Sequence, residues 1–192
     1  MVTPYAADMT HWEAWQREYQ FGIVLIHPPD PLRREVNALR ARYDPRSQSY
    51  CDAHISLTVP LPRPVTEDDW AELESIASGL APISIKCGPL MNYLPHPGVC
   101  LAIQPQEELD DLRAALETAS AFAGAPARRY PFSAHMTIAE FITADETETL
   151  MVELADLAPQ GSFPCTGVSY AVPDESFHFT ERKRLKLSAR RP

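Results

Sequence analysis

The chain has 192 residues, 45% hydrophobic and 22% charged, which is enough for a sizeable core and too apolar for a disordered chain. Its net charge of −9 disfavours a protein that grips duplex DNA by neutralising phosphates. Its four cysteines have no C-x-x-C spacing and do not make a disulfide scaffold, and no apolar run approaches the length of a membrane span.

In chain order, residues 1–20 read as a lead-in. Thr10 as N-cap, with Glu13 three residues on, predicts a short helix whose two tryptophans dock on the body of the protein. Phe21–Ile26 is an apolar strand. Asp30-Pro31 opens a helix in which Leu32, Val36 and Leu39 face the core and Arg33, Arg34, Arg40 and Arg42 decorate the remainder. That helix stops near Asp44-Pro45. Ala53–Val59 alternates as a strand, and Thr66 caps a helix running to Gly79. Ile83–Cys87 and Met91–Leu94 are strand-like. The order then recurs: a strand over 98–103, a helix over 106–123, a strand over 132–141 and a helix over 145–157. Strands over 163–172 and 177–187 close the chain. The tail from Glu181 nets +5, which reads as a basic final strand with a frayed end; a phosphate-contacting edge is the alternative.

The recurrence is an internal repeat. Gly22-Ile23-Val24-Leu25 matches Gly98-Val99-Cys100-Leu101, Ala53-His54-Ile55-Ser56-Leu57 matches Ala134-His135-Met136-Thr137-Ile138, and Ile83–Gly88 loosely matches Phe163–Gly167. Two copies of this length exclude a solenoid and predict two similar α+β lobes packed side by side. Repeat one covers about 21–95 and repeat two about 98–188, within a single bilobal domain over 21–192.

Strand alternation puts His54, Ser56 and Thr58 on one face, and His135 and Thr137 on one face of the second copy. Each copy offers an imidazole and a hydroxyl. A neutral imidazole can take a proton from an attacking oxygen, and a protonated one can give a proton to a leaving oxygen. The hydroxyls can donate to the phosphoryl oxygens as charge develops. The chemistry indicated is phosphate-ester cleavage without a metal. One His-x-Ser/Thr in a strand would mean little; two at matched positions of a repeat carry the functional reading.

The segments His54–Leu61 and His135–Phe141 resemble the two signature motifs of the two-histidine phosphoesterase superfamily, which includes bacterial 2′-5′ RNA ligase-like proteins and 2′,3′-cyclic nucleotide phosphodiesterases. The resemblance covers roughly residues 21 to 187. It implies a bilobal α+β fold with antiparallel sheets lining a cleft and helices outside, related by a pseudo-two-fold axis. It implies His54 and His135 as acid and base, Ser56 and Thr137 as phosphate binders, no cofactor, and a 2′,3′-cyclic phosphate opened to a 2′-phosphate. The same site run backward would account for 2′-5′ ligation. Ser56 stands where the family more often has threonine. Glu140 stands where relatives often carry a basic residue, and by strand parity it is expected to point away from His135 and Thr137.

Tyr50 and Tyr130 are candidate base contacts and Arg128 a candidate phosphate contact. His178 is a weaker candidate on the last strand, and Phe132 reads as core. The expected partner is a small nucleotide or an RNA 3′ end, handled by a cytoplasmic monomer with neither duplex DNA nor membrane involved. The alternatives are a nucleotide- or RNA-binding module with little turnover and a phosphodiesterase acting on a non-RNA small metabolite.

Overall fold

The computed structural model describes residues 5–93 and 96–189. The first four residues of the lead-in, Leu94 at the end of the expected strand Met91–Leu94, and Arg190 and Arg191 of the basic tail lie outside the described residues.

Among the described residues eight strands form two antiparallel four-stranded sheets. Strands β1 (Ile23–Ile26), β2 (Ile55–Ser56), β7 (Gly167–Pro173) and β8 (Phe179–Lys186) make the first, in the order β2-β1-β7-β8. Strands β3 (Ile83–Asn92), β4 (Val99–Gln104), β5 (His135–Ala139) and β6 (Gly161–Cys165) make the second, in the order β5-β4-β3-β6. The helices are α1 (Leu32–Tyr43), α2 (Pro45–Tyr50), α3 (Glu67–Ser78), α4 (Gln106–Glu117) and α5 (Ala144–Glu153). Among the described residues no helix is long and apolar enough to cross a membrane.

The fold is α+β and bilobal, with strands and helices alternating in each half, but Ile83–Cys87 and Met91-Asn92, expected in two strands, belong to the single strand β3. Neither sheet is built from one half alone, however. One strand near the end of each half crosses over: β3, the third strand of the first half, pairs with β4, and β7, the fourth strand of the second, pairs with β1. By sheet position the counterpart of β3 is therefore β7. The expected match of Ile83–Gly88 to Phe163–Gly167 joins β3 to β6, and these two are hydrogen-bonded neighbours in one sheet, with Ile83 opposite Cys165. The single strand expected over 163–172 is likewise two strands, because the chain changes sheets at Thr166. The two glycines that open the repeat do share a role. A Cβ at Gly22 would lie 2.5 Å from the Ala171 carbonyl oxygen, and one at Gly98 would lie 2.9 Å from that of Ala139.

Local chemistry explains the helix ends. Thr66 and Asp69 form a reciprocal capping box on α3, and Thr143 and Glu146 do the same on α5. In the lead-in the cap is Glu13 with Gln16, not Thr10. It starts a 3₁₀ helix over Ala14–Tyr19, while Thr10 bonds back to Asp8. Asp44 ends α1 and caps α2, a helix the sequence reading missed, by accepting from the Ser47 N–H at 2.9 Å. One core cluster joins both sheets through residues such as Val24, Ile55, Leu57, Leu101, Met136 and Ile138. That continuity fixes the sheets against each other and sets edge strands β2 and β5 side by side.

Strand β8 lies at the edge of its sheet opposite β2. Its first residue, Phe179, reaches the cleft of the paired motifs, but its basic residues Arg182, Lys183, Arg184 and Lys186 do not line it. Its Lys183 pairs with Glu74 at 2.7 Å and lies over the Trp70 ring.

Candidate active site

The two motif strands open onto one cleft of about 160 Å³, lined by His54, Ser56, His135 and Thr137 together. The two histidines are held alike. His54 Nδ1 lies 2.7 Å from the Asp52 carbonyl oxygen, and His135 Nδ1 lies 2.7 Å from that of Ser133. A carbonyl only accepts, so Nδ1 carries the proton in both rings, and Nε2 is the atom left to exchange a proton.

The residue before each histidine is clamped alike too. Asn37 of α1 accepts from the Ala53 N–H at 2.7 Å, and Gln106 of α4 accepts from the Ala134 N–H at 2.9 Å. Neither amide was recognised in the sequence. Each is an ordinary polar residue on a helix, and only its partner across the fold reveals its use.

Ser56 is exposed and Thr137 half-buried, and among the described residues neither hydroxyl is engaged by another side chain or by the backbone. Thr58 departs from the expected face. Strand β2 is only two residues long, and Thr58 turns inward to accept from the Val24 N–H at 3.1 Å.

Behind the motifs sits Arg40, read from sequence as a surface group on α1 but only 1% exposed. It donates to the Thr137 carbonyl (2.9 Å), to Ser47 O and Oγ (2.9 Å each), to Cys51 O (3.0 Å) and to Gln48 Oε1 (3.2 Å). Arg40 thereby ties α1, α2 and β5 together. Every acceptor is neutral, so the charge itself is not paired by these bonds.

Glu140 also lines the cleft, against expectation. The register of β5 against β4 jumps from Cys100–Thr137 to Val99–Ala139, leaving Ile138 as an extra residue. This β-bulge reverses the alternation and brings Glu140 round to the side of His135 and Thr137. Its Oε1 accepts from Ser47 Oγ at 3.0 Å, and its N–H donates to Asp44 Oδ2 at 2.8 Å.

These groups make the two imidazoles unequal. Desolvation and the nearby Arg40 cation push the His54 ring down from 6.5 to about 3. Desolvation also lowers His135, but its bond to Ser133 and the charge of Glu140 oppose the shift. The His135 ring packs at a tilt against Tyr93, 4.3 Å between centroids, a contact the sequence reading missed because Tyr93 follows a strand far along the chain from the motif.

Aromatic rings form the remaining wall. Trp15 and Tyr19 from the lead-in, Tyr50, and Phe177 and Phe179 line the cleft. Phe177 is their hub, within 5.3 Å of Trp12, Trp15, Tyr50 and Phe179. It adopts φ 64° in a turn where Asp174 accepts from the N–H groups of Ser176 and His178. Of the two tryptophans expected to dock, Trp12 is buried and bonds the Glu175 carbonyl, whereas Trp15 stays 38% exposed at the cleft.

Tyr50 is thus brought to the cleft. Tyr130 and Arg128 are not in it; they line an adjoining hollow of about 420 Å³ that shares Trp15, Ser56 and His135 with the cleft. Arg128 donates there to Leu57 O and to Glu117. Phe132 packs partly against the core. His178 bonds the Ser49 carbonyl and does not line the cleft. Among the described residues no group of three or more His, Cys, Asp or Glu side chains is placed to hold a metal ion, and the four cysteines are buried free thiols.

Two sheets meeting at paired His-x-Ser/Thr edge strands define a two-histidine phosphoesterase architecture. Residues 28–176 match the 2′-5′ RNA ligase superfamily, and the chain belongs to that family. It is 27% identical over 138 residues to the Oceanobacillus iheyensis protein named "Putative phosphoesterase OB1230", covering 70% of this chain and 78% of that one. The fold is similar to the crystal structure of E. coli LigT complexed with 3′-AMP, with TM-score 0.59 and 19% identity, over 87% of this chain and 97% of that one. It is also similar to TT0787 of Thermus thermophilus, with TM-score 0.56 and 16% identity, over 88% and 98% of the two chains.

Proposed function

We propose that the chain hydrolyses 2′,3′-cyclic phosphates of small nucleotides or RNA ends to 2′-phosphates, without a metal. The observation that carries this is the pair of imidazoles tethered alike at Nδ1, which leaves Nε2 free in each, both lining one cleft with the hydroxyls of Ser56 and Thr137. One Nε2 takes a proton from water as its oxygen attacks phosphorus. The other gives a proton to O3′ as the P–O3′ bond breaks. Ser56 and Thr137 donate to the non-bridging oxygens.

His54, held neutral beside Arg40, suits the base, and His135, nearer the carboxylate of Glu140, suits the acid. The base of the nucleotide lies against Trp15 and Tyr50 at the aromatic wall, with Tyr130 and Arg128 available to a longer substrate in the outer hollow. The complex of E. coli LigT with 3′-AMP is consistent with such a ligand.

The test is turnover of the four nucleoside 2′,3′-cyclic phosphates in excess EDTA, with products resolved as 2′- or 3′-phosphates. Wild type is expected to yield 2′-phosphates, and His54→Ala and His135→Ala each to lose about 10²–10⁴-fold in kcat. Wild-type silence on these substrates and on a cyclic-phosphate-ended RNA would favour the binding module. Selective turnover of a non-nucleotide cyclic phosphate would favour the small-metabolite enzyme.

A further inference from the structure

The charge of the cleft is unusual for a site that binds phosphate. Apart from the two histidines, its lining among the described residues holds one cation, Arg40, and one carboxylate, Glu140. The hydrogen bonds of Arg40 run to Gln48, Ser47, Cys51 and Thr137, so it contributes a field without offering a fork to a phosphate. Glu140 is exposed to the cleft and held in place by Ser47, a residue only 2% exposed. The bulge at Ile138 is what brings it there.

We propose that Glu140 biases this cleft against dianionic phosphomonoesters, the enzyme's own product among them, relative to monoanionic phosphodiesters. The proposal deepens the phosphodiesterase reading and rests on it for the identity of the product. A cyclic phosphate carries one negative charge throughout the neutral range. A phosphomonoester, with a second pKa near 6, carries about two at pH 8. Coulomb repulsion from a fixed carboxylate is proportional to ligand charge, so the product is repelled about twice as strongly in energy as the substrate. Hydrolysis then converts a tolerated ligand into a disfavoured one. Binding of the substrate is left to the two hydroxyls, the histidines and the aromatic wall, none of which requires a second negative charge.

The test holds pH at 8, so that the histidines are in the same state for every ligand. Calorimetry compares adenosine 2′-phosphate, a dianion, with its methyl ester, a monoanion, on wild type and on Glu140→Gln. If the ester gains about 3-fold in affinity on substitution, the dianion should gain about 10-fold, because the energies scale with charge. Glu140→Lys should widen the gap further. Glu140 makes one side-chain hydrogen bond, to Ser47, so a thermal melt should show both variants folded.

Equal gains for the two ligands, no gain for the dianion, or no binding of either ligand by any of the three proteins would overturn the proposal. Wild-type turnover of cyclic phosphates without the charge-dependent gain would sink the selection and leave the phosphodiesterase standing. The gain without turnover would do the reverse.

Discussion

Strands β2 and β5 carry the same local design in different surroundings. In both, a helix amide clamps the residue before the histidine, and a carbonyl two residues upstream holds Nδ1. Both rings are desolvated, but beside His54 stands the cation of Arg40, while beside His135 stand the Tyr93 ring and the Glu140 carboxylate. The shared part is a matter of backbone and near neighbours, which a duplication copies directly. The differing part comes from across the fold: Arg40 belongs to the first half yet binds the Thr137 carbonyl of the second. The proposed acid–base catalysis needs two histidines in different protonation states, and residues outside the repeated strands supply the difference.

The most severe way to break this comparison is Arg40→Met. It removes the cation and strands the carbonyls of Ser47, Cys51 and Thr137 in the interior. A destabilisation of about 3 kcal/mol or more is expected from chemical denaturation. In protein that remains folded, the His54 titration followed by NMR should move up toward that of His135. An unmoved His54 would show that desolvation alone sets it apart.

Acid titration probes the same asymmetry more gently. The unfolded chain takes up a proton on His54 near 6.5, whereas the folded chain resists until about 3. The neutral ring therefore contributes its full stability above 6.5, and that stability drains away as pH falls toward 3. Wild type should lose up to about 1.4 kcal/mol per pH unit more than His54→Asn across that window. The corresponding gap for His135→Asn should be smaller. Equal acid slopes for all three proteins would remove the claimed inequality.

How far the site was legible follows from the same division. His54, Ser56, His135 and Thr137 were readable because side-chain alternation on a short strand is local and the two copies could be compared. Parity misled where the backbone departs from regular pleating, at Thr58 beyond a two-residue strand and at Glu140 past the bulge. The strand order was readable, but the crossing of β3 and β7 between sheets was not, since nothing local distinguishes a strand that returns from one that crosses. Arg40 shows the strongest limit. It sits among three other arginines on one helix, and only the tertiary cluster of carbonyls around it makes it the buried one.

The mildest expected effect concerns the aromatic wall, which the two repeats do not share. Trp15 and Tyr19 come from the lead-in before the repeat and before the family match, and Phe177 and Phe179 lie beyond its other end. Trp15 makes steeply inclined ring contacts with Tyr19, Tyr50 and Phe177 and a tilted one with Phe141, yet it keeps exposed surface toward both the cleft and the outer hollow. An indole with exposed surface at the cleft could serve the proposed nucleotide as a stacking platform, and one base–aromatic stack contributes about 1–3 kcal/mol. Trp15→Ala should therefore raise KM for nucleoside cyclic phosphates about 10-fold and leave kcat nearly unchanged, because the stack is equal in ground and transition states. Ethylene glycol cyclic phosphate has no base and should show no change. A fall in kcat with both substrates would instead make Trp15 a prop for the histidines, and the inequality of the two sides would then extend to the wall that covers them.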